Sequence, residues 1–283
     1  MRLRLFPHWT PLAIVLWVTV RVSSVEAQQA AAGPTNLIAT KSTSTDVTGA
    51  NVSLSSENRL KLLNDKMAEL KGNPARNWDE YERGARALIK EFPDRPDGYQ
   101  DLMVMLQYGK RDRAHVLAKE LADSSAPERF KLWAKGFLYR LDSFGKPVEM
   151  QFTALDGREV NLAKMRGKVV LIDFWGTTCV PCVAALSDIR AAYDKYHAQG
   201  FEVIGISFDS NKAHLTRFIK EKELPWPHYF DGKQGVDSKF GQEFGISGIP
   251  HTLLLDKKGA LRIDNIDIGP SFEGYISKLL SEP

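Results

Sequence analysis

Cysteine is nearly absent from this chain: of 283 residues, only Cys179 and Cys182 carry a thiol. Two cysteines cannot staple a fold together, so stability has to come from packing. Histidine is sparse too. His8, His115, His197, His214, His228 and His251 form no paired ligand motif, which argues against a zinc site that a CxxC would half supply. Charge of one sign is also lacking. The net charge is +3, and Arg2, Arg4, Arg21 and Glu26 near the start account for two of those units. The nearly neutral remainder gives no electrostatic case for a nucleic-acid partner.

The apolar run from Leu12 to Val20 is shorter than the about 20 residues that span a bilayer, and Arg21 closes it. With Arg2 and Arg4 before it and Val25-Glu26-Ala27 after it, this run reads as a signal peptide over 1–27, cleaved near Gln28. The competing reading is a retained anchor. No cysteine follows the leader, so no lipoprotein anchor is expected. The expected location is exported, with the bacterial periplasm first. Residues 28–54 are rich in Ala, Thr, Ser and Gly without an apolar period, and read as a flexible linker.

From 55 to 145 the apolar spacing is helical. Leu60, Leu63, Met67 and Leu70 form one stripe. Asn77 to Glu80 looks like a capping box, opening a helix that presents Tyr81, Ala85 and Leu88. Further stripes carry Leu102 and Leu106, then Leu117 and Leu121, then Phe130, Trp133 and Phe137. Successive helical hairpins are expected. Tetratricopeptide-like packing is one option, but no clean repeat is visible. Such a module either binds a protein partner or a second copy, or simply packs on its neighbour.

From 146 to 283 strands and helices alternate. Asp156-Gly157 signals a hairpin. Lys168 to Phe174 is a near-continuous apolar strand, as at the centre of a covered sheet. A helix follows from Pro181, then a second buried strand from Phe201 to Phe208. Later come strands at Thr252–Leu255 and Leu261–Ile263 and a last helix to Leu280. The order predicts an α/β domain: a central mixed sheet with helices on both faces, preceded by the all-α hairpin module.

The strand into CxxC into helix is the chemical signal. Cys179 falls at a helix N-terminus, where unpaired N–H groups and the dipole favour a thiolate. Cys179 is expected to attack a substrate disulfide, and the more covered Cys182 to resolve the mixed disulfide. Pro181 removes one backbone donor from this turn and so affects thiolate stabilisation. A purely structural disulfide would close too small a loop to constrain much of the unfolded chain.

Asp173-Phe174-Trp175 followed by Cys179-Val180-Pro181-Cys182 resembles the active-site stretch of thioredoxins. Gly248-Ile249-Pro250 before Thr252–Asp256 resembles their cis-proline loop. The Asp156-Gly157 hairpin with Leu162 to Leu171 resembles the extension of exported TlpA/ResA-like thiol-disulfide oxidoreductases. The resemblance covers about 147–283 and implies a thioredoxin-like fold. It implies that Asp173 lies buried behind Cys182 and takes its proton. It further implies that Pro250 is cis and faces the disulfide, and that the Ile249 backbone pairs with an extended substrate. Trp175 would either wall the site or sit as a plain core tryptophan. Three positions depart from the pattern. Thr178 stands where Trp is usual before the first cysteine, which makes that surface smaller and more polar. Ala185 replaces a frequent carboxylate, and Ser187 a frequent proline. More weight then falls on Asp173. His251, after the cis-proline, is read as a solvated loop histidine.

The expected function is an exported thiol-disulfide oxidoreductase that reduces protein disulfides, with no cofactor, no metal and a membrane-bound electron donor. A peroxiredoxin-like thiol peroxidase is one alternative. It is disfavoured because Gly176 and Trp175 stand where that chemistry wants Thr and Pro. A redox-linked adaptor acting through 55–145 is the other. Direction of electron flow is left open: Cys-x-Pro-Cys points to the reducing side only by analogy with thioredoxin.

Overall fold

The computed structural model describes residues 55–73, 77–109 and 111–283. The leader and linker expected over 1–54 lie outside the described residues. Five helices come first: α1 (Ser56–Gly72), α2 (Trp78–Glu91), α3 (Asp97–Tyr108), α4 (Arg111–Asp123) and α5 (Glu128–Asp142). The Asn77 side chain caps α2, accepting from the N–H groups of Asp79 and Glu80. The apolar stripes meet in one core, with Tyr81, Leu88, Phe130 and Trp133 almost fully buried. α2 packs on α3 and α4 on α5, as successive hairpins.

A small hairpin, β1 (Gln151–Thr153) and β2 (Glu159–Asn161), follows. The main sheet contains β3 (Val169–Trp175), β4 (Phe201–Ser207), β5 (His228–Phe230), β6 (His251–Leu255) and β7 (Leu261–Asp264), in the order β5-β4-β3-β6-β7. β3, β4 and β5 run parallel, and β6 and β7 add antiparallel on the other side. The remaining helices are α6 (Val180–Tyr196), α7 (Lys212–Glu221), α8 (Lys239–Phe244) and α9 (Phe272–Ser281).

β3 is central, so all seven of its residues are buried. Period-two alternation divides them between two cores. Val169, Leu171 and Trp175 pack with Cys182, Leu186 and Ile189 of α6 and with Ile276 of α9. Val170, Ile172 and Phe174 pack with Phe240 and Phe244 of α8 and with the β1–β2 hairpin. The chain therefore has an α/β thioredoxin-like mixed sheet, covered on both faces and preceded by an all-α region. Among the described residues, no helix is long and apolar enough to cross a membrane.

The helical region meets the sheet domain where α5 crosses α8. Glycine makes the crossing close. A Cβ on Gly136 would stand 1.8 Å from the Gln242 carbonyl oxygen. Gly245, at φ +62°, lies so near that its own Cβ would stand 2.2 Å from the Phe137 nitrogen. Gly136→Ala is therefore expected to destabilise the protein by about 2–3 kcal/mol, at the upper end for overpacking. Urea unfolding measures this, and a change below about 0.5 kcal/mol would contradict so tight a contact.

Candidate functional site

β3 delivers the chain to the site, and the turn after it sets the cysteines. Cys179 is the N-cap of α6, and its Sγ accepts the N–H of Cys182 at 3.2 Å. An anion on that sulfur would receive this hydrogen bond and the positive end of the helix. Cys179 and Cys182 are joined as a disulfide, with Cα atoms 5.2 Å apart. Cys179 is half-buried, whereas Cys182 is 3% exposed. Thr178, Val180 and Pro181 form the exposed surface around the outer sulfur. Pro181 occupies the first turn, where its missing N–H has no helical partner to lose.

Asp173 lies one turn of the strand pleat behind Trp175, on the face shared with Cys182. It is 4% exposed. Burial pushes its carboxyl up to about 7. The row across the sheet at this level is Thr252, Asp173, Gly205 and His228. Gly205 leaves room for the His228 ring to lean in: a Cβ there would stand 2.4 Å from His228 Nδ1 and 3.0 Å from Trp175 Nε1. Burial depresses His228 to about 3, so it stays neutral at physiological pH. Neither of its ring nitrogens has a hydrogen-bond partner, and its ring centroid is 5.4 Å from that of Trp175.

Trp175 takes the core alternative, which corrects its place among the walls of the site. It is fully buried, packed on Phe218 and His228, and presents no wall to a substrate. The cause is register: odd-numbered residues of β3 point under α6, so the tryptophan fills the core beneath the active turn.

The Ile249–Pro250 peptide bond is cis. Pro250 is exposed and Ile249 half-buried. The Ile249 Cδ1 lies 3.1 Å from where a Cβ on Gly176 would stand, so the proline loop touches the turn that leads to Cys179. No backbone hydrogen bond among the described residues uses the N–H or C=O of Ile249.

His251 is the second correction. It opens β6 rather than lying in a solvated loop. Its side chain is 13% exposed, and its Nε2 bonds Asp264 Oδ1 at 2.7 Å. The other oxygen of Asp264 takes a hydrogen bond from Arg140 of α5. Arg140 also donates to the Phe244 carbonyl at 2.8 Å. Burial opposes ionisation of Asp264, but the His251 bond and the Arg140 charge outweigh it and hold its carboxyl below the ordinary range.

Asp209 was not singled out from sequence. It is buried just past the end of β4. Its carboxylate accepts from the Thr177 N–H at 3.1 Å, from the Thr177 hydroxyl, and from Ser207 Oγ at 2.8 Å. It thereby pins the Gly176–Thr178 turn. The available signal is an acid immediately after a buried parallel strand, at the end of the sheet where sites gather. Among the described residues, no three His, Cys, Asp or Glu side chains converge to hold a metal ion.

A family model described as the AhpC/TSA family matches residues 145–263. The thiol-disulfide oxidoreductase ResA of Bacillus thuringiensis (strain Al Hakam) is 30% identical over 129 residues, which cover 45% of this chain and 72% of that protein. A Bacillus cereus protein of the same name is 29% identical over 157 residues, covering 52% and 88%. Among solved structures, the thioredoxin domain of a thiol-disulfide oxidoreductase from Bacteroides vulgatus is 25% identical. It covers 47% of this chain and 94% of its own, at a TM-score of 0.42.

Proposed function

The chain belongs to the ResA family of thiol-disulfide oxidoreductases, and we propose that it is an exported member that reduces disulfides of protein substrates through Cys179 and Cys182. The observation that carries this reading is the Cys179–Cys182 disulfide at the α6 N-terminus, in a sheet whose central strand also buries Asp173. In the dithiol form, the Cys179 thiolate attacks one sulfur of a substrate disulfide. A mixed disulfide forms, and the other substrate sulfur leaves as a thiolate that takes up a proton. The Cys182 thiol then gives its proton to the Asp173 carboxylate, directly or through water. Its sulfur attacks Cys179, and the second substrate thiolate departs. The protein ends as the disulfide and the substrate as a dithiol. A carboxyl poised near 7 accepts and returns such a proton at physiological pH.

The Ile249 backbone, which has no backbone hydrogen bond among the described residues, suits pairing with an extended substrate segment beside Pro250. Thr178 and Pro181 would border that segment. The leader pattern over 1–27 supports export, with the periplasm as the compartment. Such a reductant needs a membrane-bound electron donor to restore it. Residues 55–145 are read as a helical module and 146–283 as the redox domain.

Insulin reduction by dithiothreitol tests the reading. The wild type is expected to accelerate it, and Cys179→Ser to return it to the uncatalysed rate. Equal rates for the two would overturn it.

A further inference from the structure

A cleft of about 510 Å³ lies between the helical region and the proline loop. Gly248, Ile249 and Pro250 line one side of it, and Gln107, Tyr108 and Phe144 the other. We propose that this cleft holds the stretch of substrate polypeptide flanking the target disulfide, so that the helical module supplies one wall of the substrate site. The proposal rests on the exchange reading above.

The first argument is continuity. Ile249 lines the cleft with the same residue whose side chain touches Gly176 of the active turn. A chain that pairs with the Ile249 backbone while its sulfur meets Cys179 is therefore led into the cleft. A larger cavity, of about 600 Å³ and lined by Leu132, Tyr139 and Glu243, includes none of these residues.

The second argument is rigidity. Gln107 at the end of α3 donates to Ser247 Oγ at 2.8 Å, just before the proline loop. Arg140 ties α5 to Phe244 and Asp264, and Gly136 seats α5 against α8. The helical wall is fastened beside the loop at Gln107 and to α8 and β7 through α5, so the groove is pre-formed.

The third argument is chemistry. The ions in the cleft are spent on one another: Arg140 on Asp264, and Asp264 on His251. Among the described residues that line the cleft, they leave no free charge to select an acidic or basic segment. Two aromatic side chains, Tyr108 at 68% and Phe144 at 43% exposure, stand open on the helical side. The volume falls in the range of formed ligand sites, about 300–1,000 Å³. The fitting occupant is an extended, uncharged segment with an aromatic or aliphatic side chain close to its cysteine.

The test uses the full chain carrying Cys182→Ser, loaded through Cys179 with a peptide that has one cysteine and a benzophenone side chain at successive positions around it. After irradiation and digestion, cross-links are expected on Leu106–Gly109 or Leu141–Phe144. Cross-links confined to residues after 145 would overturn the proposal. If no mixed disulfide forms at all, the exchange reading itself fails, and the cleft proposal falls with it. As a second readout, Tyr108→Ser is expected to raise the KM for insulin about fivefold with kcat unchanged, the pattern of lost substrate binding. An unchanged KM would count against the groove.

Discussion

Asp173→Asn is expected to make the protein more stable at pH 8 and slower at resolving its mixed disulfide. In the unfolded chain this carboxyl ionises near 3.8, and in the folded protein near 7. Between those values only the folded chain holds the proton. Stability from this group is therefore complete below pH 3.8 and is lost as pH rises to about 7. A gap of about three pH units corresponds to about 4 kcal/mol. The asparagine variant has no such slope, so it should gain on the wild type steadily across that interval. His228 slopes the other way. Its ring is neutral when folded, and its contribution is lost as pH falls from 6.5 towards about 3. The wild-type profile mixes the two effects, and the difference between variant and wild type isolates Asp173. Denaturant unfolding at a series of pH values measures it. On the kinetic side, loss of the proton acceptor is expected to slow resolution about 10²-fold or more and to remove the inflection near pH 7 from its rate. A variant with wild-type resolution rate and pH profile would take Asp173 out of the mechanism.

The other large effect is expected at Arg140. Its side chain is 4% exposed and holds Asp264 and the Phe244 carbonyl. Arg140→Met keeps the length and removes the charge. It leaves the carboxylate with His251 alone, in a site that is 16% exposed. Breaking a buried pair from one side costs about 3–5 kcal/mol, which for a chain of this size lowers the melting temperature by roughly 10 °C. Asp264→Asn added to Arg140→Met should restore part of the loss, because the unpaired charge is gone. Because Asp264 is held below its ordinary range, its stabilising share exists above the unfolded carboxylate value near 3.8 and is lost as pH falls through the folded one. A loss below about 1 kcal/mol in Arg140→Met would show that the pair is not what fastens the helical region to β7.

Several features were legible in the residues because they are local. The unbroken apolar run before Asp173 announces a central strand, since a strand covered on both faces has no polar side to show. Asn77 caps α2 through two N–H groups only a few residues away. The Cys179 and Cys182 spacing needs nothing beyond one helical turn. The features that escaped are long-range. Arg140, Asp264 and His251 come from α5, β7 and β6, and no pattern along the chain brings them together. His251 alone looks like a polar residue after a turn, and only its partners make it an interior group. The place of Trp175, wall or core, is undecided along the chain for a different reason. Alternation in a fully buried strand is silent about which face lies under α6, and the pairing with β4 and β6 decides it. Asp209 hides in the same way, since its tie to Thr177 joins two strand ends that are neighbours only in the folded sheet.

The central claim is that Cys179 attacks and Cys182 resolves. A single-turnover reaction of the reduced protein with insulin, quenched in acid and read by mass spectrometry, tests it most directly. The account predicts a transient insulin adduct on Cys179, followed by the Cys179–Cys182 disulfide and two new insulin thiols for each disulfide formed. An adduct on Cys182, or a dithiol that persists beside intact insulin, would contradict it.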